Sequence, residues 1–119
     1  MLVIDDEKDL VKTLVFRLEA NGFETLVAYD GQDGLDKAKK MKPDIIILDL
    51  MLPKMDGYRV CGLLKNDVRY SKIPVIMFTA RAQESDIVMG KEVGANAYIT
   101  KPFDPKVLLD KIRELLNVN

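Results

Sequence analysis

Five short apolar runs, separated by longer amphipathic stretches, constrain the fold of this chain more than any other feature. The runs cover residues 2–4, 26–28, 45–48, 75–78 and 97–99. Several are apolar at every position, which is typical of strands covered on both faces. Such strands form a parallel sheet when the stretches between them supply covering helices. We therefore predict an α/β three-layer sandwich with a five-stranded parallel sheet.

Apolar residues at helical spacing predict five helices between and after the runs. Asp30, Asp56 and Asp104 stand at the starts of the second, third and fifth helices, where a carboxylate caps free backbone N–H groups. The fourth helix, predicted over residues 84–93, has the weakest pattern because Gly90 interrupts it. The residues expected to face inward are Leu10, Leu14 and Leu18, then Leu35, Ala38 and Met41, then Val60, Leu63 and Leu64, and finally Leu108, Ile112 and Leu115.

Composition excludes several classes of function. The 18 Lys and Arg residues against 19 Asp and Glu give no positive excess that would favour nucleic acid binding. The chain has no histidine, which removes Ser-His-Asp and Cys-His catalysis and imidazole zinc sites. Its one cysteine, Cys61, fits a reducing compartment, so we expect a cytoplasmic location. No run approaches the ~20 residues of a membrane helix, so we expect no membrane partner.

Acidic residues follow two of the predicted strands, at the edge where open parallel sheets bind ligands. Asp5 and Asp6 follow the first run, and Asp49 follows the third. If these strands are neighbours, the three carboxylates converge and repel one another, so a proton or a cation must join them. An all-oxygen ligand set suits a hard ion, and we expect Mg²⁺ before Zn²⁺.

Two further polar residues follow other strands at the same edge. If the cation accepts one oxygen of a phosphoryl group, Lys101 would neutralise a second oxygen as a point charge, and the Thr79 hydroxyl would donate a hydrogen bond to a third. One carboxylate is then free to attack phosphorus and form an aspartyl phosphate. Asp49 stands alone at its strand end and is the predicted nucleophile.

The ordered set of these residues resembles the receiver domain of two-component response regulators along the whole chain. The matching pieces are Asp5-Asp6-Glu7, Asp49, Pro53-Lys54-Met55-Asp56-Gly57, Thr79-Ala80, Gly94-Ala95 and Lys101-Pro102-Phe103. Each piece alone is common, whereas the set in this order is specific. The resemblance implies one receiver domain over residues 1–119, with a flavodoxin-like (βα)5 fold and strand order 2-1-3-4-5.

The resemblance also assigns roles at the site. Asp49 is implied to be the phosphoacceptor, and Thr79 and Lys101 to contact the phosphoryl group. The bond between Lys101 and Pro102 is expected to be cis. Tyr98 falls at the position of a switch aromatic, whose ring turns when the Thr79 hydroxyl moves toward phosphate. The ligands implied for Mg²⁺ are Asp5, Asp6, Asp49 and the backbone carbonyl of Met51.

By the same resemblance, the chain is a phosphorylation-controlled switch and not an enzyme with turnover of an outside substrate. A sensor histidine kinase or a phosphotransfer protein is the implied donor, and hydrolysis of the aspartyl phosphate resets the switch. The surface of the fourth helix, fifth strand and fifth helix would then control an effector protein or a linked output domain. A phosphorylation-dependent homodimer is compatible with this role, whereas direct nucleic acid binding by this chain is not expected.

Other interpretations share parts of the pattern. Phosphatases of the haloacid dehalogenase superfamily need a second Asp two residues after the nucleophile, where this chain has Met51. A nucleotide- or flavin-binding module needs a glycine-rich phosphate loop, and residues 31–34 fit neither common pattern. A receiver-like domain without phosphorylation would not need the acceptor residues kept here. For Asp5 and Asp6, the alternative role is to cap the first helix.

Overall fold

Five parallel strands form one sheet in the computed structural model, which describes residues 1–79, 88 and 91–117. The strands are β1 (Leu2–Ile4), β2 (Leu26–Ala28), β3 (Ile46–Asp49), β4 (Val75–Thr79) and β5 (Ala97–Thr100). Their order in the sheet is β2-β1-β3-β4-β5, which confirms the predicted topology. Asp49 and Thr79 are the last residues of their strands, whereas the sequence pattern had placed them directly after the strands.

Four helices are defined among the described residues, and they cover both faces of the sheet. They are α1 (Lys8–Ala20), α2 (Gly31–Met41), α3 (Gly57–Lys65) and the C-terminal helix (Pro105–Leu116). α2 and α3 pack on one face, and α1 and the C-terminal helix pack on the other. None of these helices is long and apolar enough to cross a membrane. The helix predicted over residues 84–93 lies mostly outside the described residues.

Alternation along each strand divides the core into two apolar clusters. Ile4 and Leu48 point to the side of α2 and α3, whereas Val3, Ile47 and Phe78 point to the side of α1 and the C-terminal helix. Both sets are almost completely buried. Each such side chain contributes about 1.5–3 kcal/mol to folding when it leaves water. The runs are therefore apolar at every position because each face of the sheet has its own helical layer.

For two residues, Met41 and Leu63, the prediction that they face inward is wrong. Met41 is 53% exposed, because it is the last residue of α2 and the left-handed conformation of Lys42 turns the chain away there. Leu63 is 40% exposed, because the buried stripe of α3 runs through Val60, Cys61 and Leu64 instead. Cys61 is fully buried beside Val60.

Aspartate caps begin three of the helices, as predicted. The carboxylate of Asp30 accepts a hydrogen bond from the Asp33 N–H at 2.7 Å, and Asp56 and Asp104 make the corresponding bonds in α3 and the C-terminal helix. α1 differs, because its N-cap residue is Glu7, whose side chain makes no capping hydrogen bond within the described part of the chain. Asp5 and Asp6 are therefore not the N-cap of α1.

The buried cysteine gives a chemical test of the core on the α3 side. Burial raises the pKa of the Cys61 thiol to about 11, and its Sγ lies 3.6 Å from the carbonyl oxygen of Val93. We expect iodoacetamide at pH 8 to alkylate the native chain at least about 100-fold more slowly than the chain unfolded in guanidinium, because little thiolate is present. Intact mass against time measures both rates. Equal rates would contradict the buried position of Cys61.

Candidate functional site

Pairing of β1 with β3 brings two aspartates side by side at the carboxyl edge of the sheet. Ile4 pairs with Leu48, so the next residues, Asp5 and Asp49, lie next to one another. Both are buried, whereas Asp6 is exposed. One carboxylate oxygen from each of the three lies within 4.8 Å of the others. The predicted convergence of these three carboxylates is thus present in the fold.

Lys101 reaches the same cluster from the segment that follows β5. Its Nζ lies 2.8 Å from Asp5 Oδ2, 3.0 Å from Glu7 Oε1 and 3.7 Å from Asp49 Oδ2. The ammonium also lies 5.2 Å from the ring centroid of Phe78, at cation–π distance. The Lys101 side chain is only 10% exposed. It is therefore a fixed positive charge within a group of carboxylates.

The cis peptide bond predicted before Pro102 is present in the same segment. Phe103, the next residue, packs edge-on against Phe78 with ring centroids 4.9 Å apart. The segment that carries Lys101 is thus packed on the end of β4.

Burial and charge crowding perturb the acids of this cluster. Burial raises the pKa of Asp49 to about 6, the negative charge of Asp5 adds to the rise, and the positive charge of Lys101 opposes it. Burial also raises the pKa of Asp5, against a hydrogen bond from Lys101. Burial alone would lower the pKa of Lys101, but its hydrogen bonds to Asp5 and Glu7, together with the negative charges of Asp49 and Asp5, outweigh that effect and raise it. The site therefore holds more negative charge than its lysine neutralises.

A hard divalent cation fits this donor set. The ligand atoms available are carboxylate oxygens, and the chain contains no histidine to favour a softer metal. Repulsion between Asp5 and Asp49 already raises the pKa of Asp49, and a cation between the carboxylates would relieve it. Asp6 is exposed, so the cluster is accessible from solvent. The residues present therefore suit Mg²⁺ in charge and in chemistry.

The loop after Asp49, residues 50–56, is fixed at both ends by close backbone approaches. Gly57 donates a hydrogen bond to the Leu50 carbonyl at 2.9 Å, and a Cβ on Gly57 would lie 2.2 Å from the carbonyl oxygen of Asp49. Gly31 donates to the Pro53 carbonyl at 3.2 Å. A Cβ on Gly31 would lie 1.8 Å from the backbone oxygen of Met55. The start of α2 is thus in direct backbone contact with this loop.

Three predicted site residues are described only in part or lie beside the cluster. The backbone of Thr79 ends β4 and pairs with Thr100 of β5, but its side chain lies outside the described residues. Tyr98 is half-buried on β5 and packs against the core on the side of α2 and α3. The side chain of Met51 is largely exposed in the loop after Asp49. The cluster defined by described side chains therefore contains Asp5, Asp6, Asp49 and Lys101.

Two residues of the site had no role in the sequence prediction. Glu7 appeared only as the third member of an acidic group, and nothing in the pattern paired it with a lysine 94 residues away. Gly31 appeared only in the stretch 31–34, which fits neither glycine-rich phosphate-loop pattern. A glycine directly after a capping aspartate was the available signal, but its contact with the loop after Asp49 depends on tertiary packing.

Comparison with known proteins identifies the family of this chain. The chain matches the family described as "Response regulator receiver domain" over residues 1–113. It is 42% identical over 116 residues to the alkaline phosphatase synthesis transcriptional regulatory protein PhoP of Bacillus subtilis strain 168, covering 98% of this chain and 48% of that protein. It is also 42% identical over 119 residues to the DNA-binding response regulator MtrA of Mycobacterium tuberculosis H37Rv, covering 100% and 51%.

A solved structure gives the same assignment. The chemotaxis protein CheY4 of Vibrio cholerae superimposes with a TM-score of 0.89 at 31% sequence identity, covering 96% of this chain and 95% of that one. The chain spans about half the length of the curated relatives PhoP and MtrA. On the family match, these relatives and the shared fold, the chain belongs to the response regulator receiver domains, the signalling switches of two-component systems.

Proposed function

We propose that the chain, a receiver domain over residues 1–119, accepts a phosphoryl group on Asp49 with Mg²⁺ bound beside it. The observation that carries this proposal is the buried Asp49 carboxylate, grouped with Asp5 and Asp6 and 3.7 Å from the Lys101 ammonium. A nucleophile, a set of cation ligands and a fixed positive charge thus share one edge of the sheet. The donor would be a sensor histidine kinase, a phosphotransfer protein or a small acyl phosphate.

The phosphoryl transfer would be a displacement at phosphorus by an Asp49 oxygen. A new oxygen–phosphorus bond forms, the bond from phosphorus to the donor breaks, and the donor leaves with that electron pair. The nucleophile must be ionised, and with a pKa of about 6 Asp49 is mostly ionised above pH 7. Burial from water leaves this carboxylate poorly solvated and more reactive than an exposed one.

Charge neutralisation by the surrounding residues would lower the barrier to transfer. The residues that would hold Mg²⁺ are Asp5, Asp6, Asp49 and Met51, the last through its backbone carbonyl. When bound, Mg²⁺ would supply positive charge to the phosphoryl oxygens. Lys101 would provide the second positive charge, since its ammonium already lies beside Asp5 and Asp49. The Thr79 hydroxyl would donate to a remaining oxygen.

The output of the switch stays a prediction. We propose that Thr79 and Tyr98 couple the phosphoryl group to the surface of the helix over 84–93, β5 and the C-terminal helix. PhoP and MtrA are named as a transcriptional regulator and a DNA-binding response regulator, which supports control of a linked output domain or a separate effector. A phosphorylation-dependent homodimer and a cytoplasmic location also stay predictions.

Intact mass after incubation with acetyl phosphate and Mg²⁺ tests the proposed function. We expect one added phosphoryl group on the parent chain and none on Asp49→Asn, because the amide is not a nucleophile toward phosphorus. We expect EDTA to abolish the addition on the parent, because the carboxylates would then have no cation. Beryllofluoride, which mimics a phosphoryl group on a carboxylate, controls for a rapidly hydrolysed product.

The outcomes separate the parts of this proposal. Phosphorylation of Asp49→Asn would show that another residue is the acceptor. Phosphorylation of the parent in EDTA would show that the reaction does not need the metal. Failure of both acetyl phosphate and beryllofluoride to bind the parent, with Mg²⁺ bound, would leave a receiver domain that works without phosphate.

A further inference from the structure

Glu7 occupies the N-cap position of α1 without acting as a cap. Ser, Thr, Asp and Asn are the residues that stabilise this position, and glutamate is a poor substitute. The backbone of Glu7 has the extended geometry of a cap (φ −81°, ψ 93°), but its side chain makes no capping hydrogen bond among the described residues. A capping hydrogen bond therefore does not explain why a glutamate stands here.

The Glu7 carboxylate instead contacts Lys101. Glu7 Oε1 accepts a hydrogen bond from Lys101 Nζ at 3.0 Å, while Asp5 Oδ2 accepts one from the same ammonium at 2.8 Å. Lys101 Nζ lies 3.7 Å from Asp49, longer than a hydrogen bond. The Glu7 N–H also donates to Asp5 Oδ1 at 2.9 Å, which fixes the glutamate beside the cluster. In the unphosphorylated chain the ammonium thus lies nearer to Asp5 and Glu7 than to Asp49.

The three carboxylates around Lys101 differ in how easily they release it. Asp5 and Asp49 have side chains that are 2% and 5% exposed, whereas the Glu7 side chain is 60% exposed. An exposed carboxylate regains water when it gives up a partner, and a buried one does not. Glu7 is therefore the partner that an incoming anion displaces at least cost.

We propose that Glu7 is a positioning residue that draws the Lys101 ammonium away from Asp49 and competes for it with the phosphoryl group. The proposal rests on the proposed function, since it presumes that a phosphoryl group on Asp49 needs Lys101. In the unmodified chain Glu7 holds one donor of the ammonium, and the phosphoryl oxygens then take that donor. The negative charge of Glu7 also repels an anion at Asp49. Glu7 thus sets how tightly the site holds a phosphoryl group.

Beryllofluoride titration of two Glu7 variants tests this competition. Glu7→Gln removes the charge and keeps the length of the side chain, while Glu7→Asn also provides a preferred N-cap residue. At saturating Mg²⁺, with binding followed by amide NMR, we expect both variants to bind beryllofluoride about 2- to 5-fold more tightly than the parent, as expected for loss of one partly exposed ion pair. In EDTA, without Mg²⁺, we also expect the ¹⁵Nζ signal of Lys101 to shift in both variants relative to the parent.

Asp9→Asn is the matched control for net charge. Asp9 lies in the first turn of the same helix, and the described hydrogen bonds and ion pairs of Lys101 do not include it. We expect this variant to change beryllofluoride affinity less than 2-fold and to leave the Lys101 signal in place. Thermal unfolding adds a second control, since Glu7→Asn should be at least as stable as the parent.

Each outcome bears on one of the two proposals. Unchanged or weaker beryllofluoride binding by both Glu7 variants, with normal binding by the parent, would overturn the role of Glu7 alone. An equal gain in Asp9→Asn would also overturn it, because the effect would then be one of net charge. A parent chain that binds Mg²⁺ but no beryllofluoride would contradict the proposed function, and the role of Glu7 with it.

Discussion

Asp49→Asn is expected to stabilise the metal-free chain at neutral pH, by about 2–3 kcal/mol in the free energy of unfolding. The folded chain raises the pKa of Asp49 from an ordinary value of 3.8 to about 6. Each pKa unit corresponds to about 1.4 kcal/mol of preference for the neutral form. Because the side chain is 5% exposed, water screens little of this cost. Asparagine keeps the shape of the neutral acid and removes the cost.

The sign of the pH dependence follows from the direction of the shift. Between about pH 4 and pH 6 the folded chain keeps a proton on Asp49 that the unfolded chain has lost. The contribution of Asp49 to the free energy of unfolding therefore falls as the pH rises through this window. The destabilisation is absent below pH 4 and complete above pH 6. The advantage of Asp49→Asn over the parent should accordingly be present at pH 7.5 and largely lost at pH 4.

Urea denaturation in EDTA at both pH values measures this difference. Lys101 keeps hydrogen bonds to Asp5 and Glu7 in the variant, so the substitution does not strand a buried cation. At pH 7.5, Mg²⁺ should reduce or reverse the difference in the free energy of unfolding between variant and parent, because Mg²⁺ adds most stability to the chain that binds it more tightly. A variant less stable than the parent at pH 7.5 in EDTA would show that the buried charge of Asp49 does not destabilise the folded chain.

Much of the fold could be predicted from the sequence because its strands are covered on both faces. The runs at residues 2–4 and 26–28 coincide with β1 and β2. The run at 45–48 is shifted by one residue from β3, and the runs at 75–78 and 97–99 are each one residue shorter than β4 and β5. At their carboxyl ends these three strands extend beyond the runs because Asp49, Thr79 and Thr100 are polar residues that still pair in the ladder. The order of the strands came from resemblance, since apolar runs contain no information on which strands are neighbours.

The site was predictable as far as it depends on position at strand ends. Asp5, Asp49 and Lys101 each follow or end an apolar run, and parallel strands bring such residues to one edge. The partner of Glu7 was not predictable, since a glutamate in an N-cap position looks the same in sequence whether its side chain caps the helix or contacts a distant residue. Gly31 was not predictable for a related reason, because its constraint comes from a backbone 24 residues further along the chain.

That constraint predicts a large effect for Gly31→Ala, which should cost about 3 kcal/mol of folding stability. The new Cβ would lie 1.8 Å from the oxygen and 2.7 Å from the carbon of the Met55 carbonyl. Both are backbone atoms, so no side-chain rotation relieves the overlap. The loop over 50–56 must move away from α2 instead, which breaks the bond from Gly31 N–H to the Pro53 carbonyl.

Movement of this loop should also weaken Mg²⁺ binding. The loop follows Asp49 directly and carries Met51, whose carbonyl we propose as a ligand. It is also tied to the start of α2 by the ion pair between Lys54 and Asp30, at 3.6 Å. Loss of such outer support typically costs 10- to 100-fold in metal affinity. We therefore expect calorimetric titration of Gly31→Ala to show Mg²⁺ affinity at least about 10-fold lower than that of the parent.

Gly62→Ala is the matched control, since it makes the same change inside α3. Its Cβ would meet the Val93 side chain at 3.9 Å, an ordinary contact, so we expect the variant to be as stable as the parent or up to about 1 kcal/mol more stable. Its Mg²⁺ affinity should be unchanged. Parent-like stability in Gly31→Ala would contradict the close approach of α2 to the loop. Lower stability with unchanged Mg²⁺ affinity would instead show that the metal ligands after Asp49 do not depend on where α2 begins.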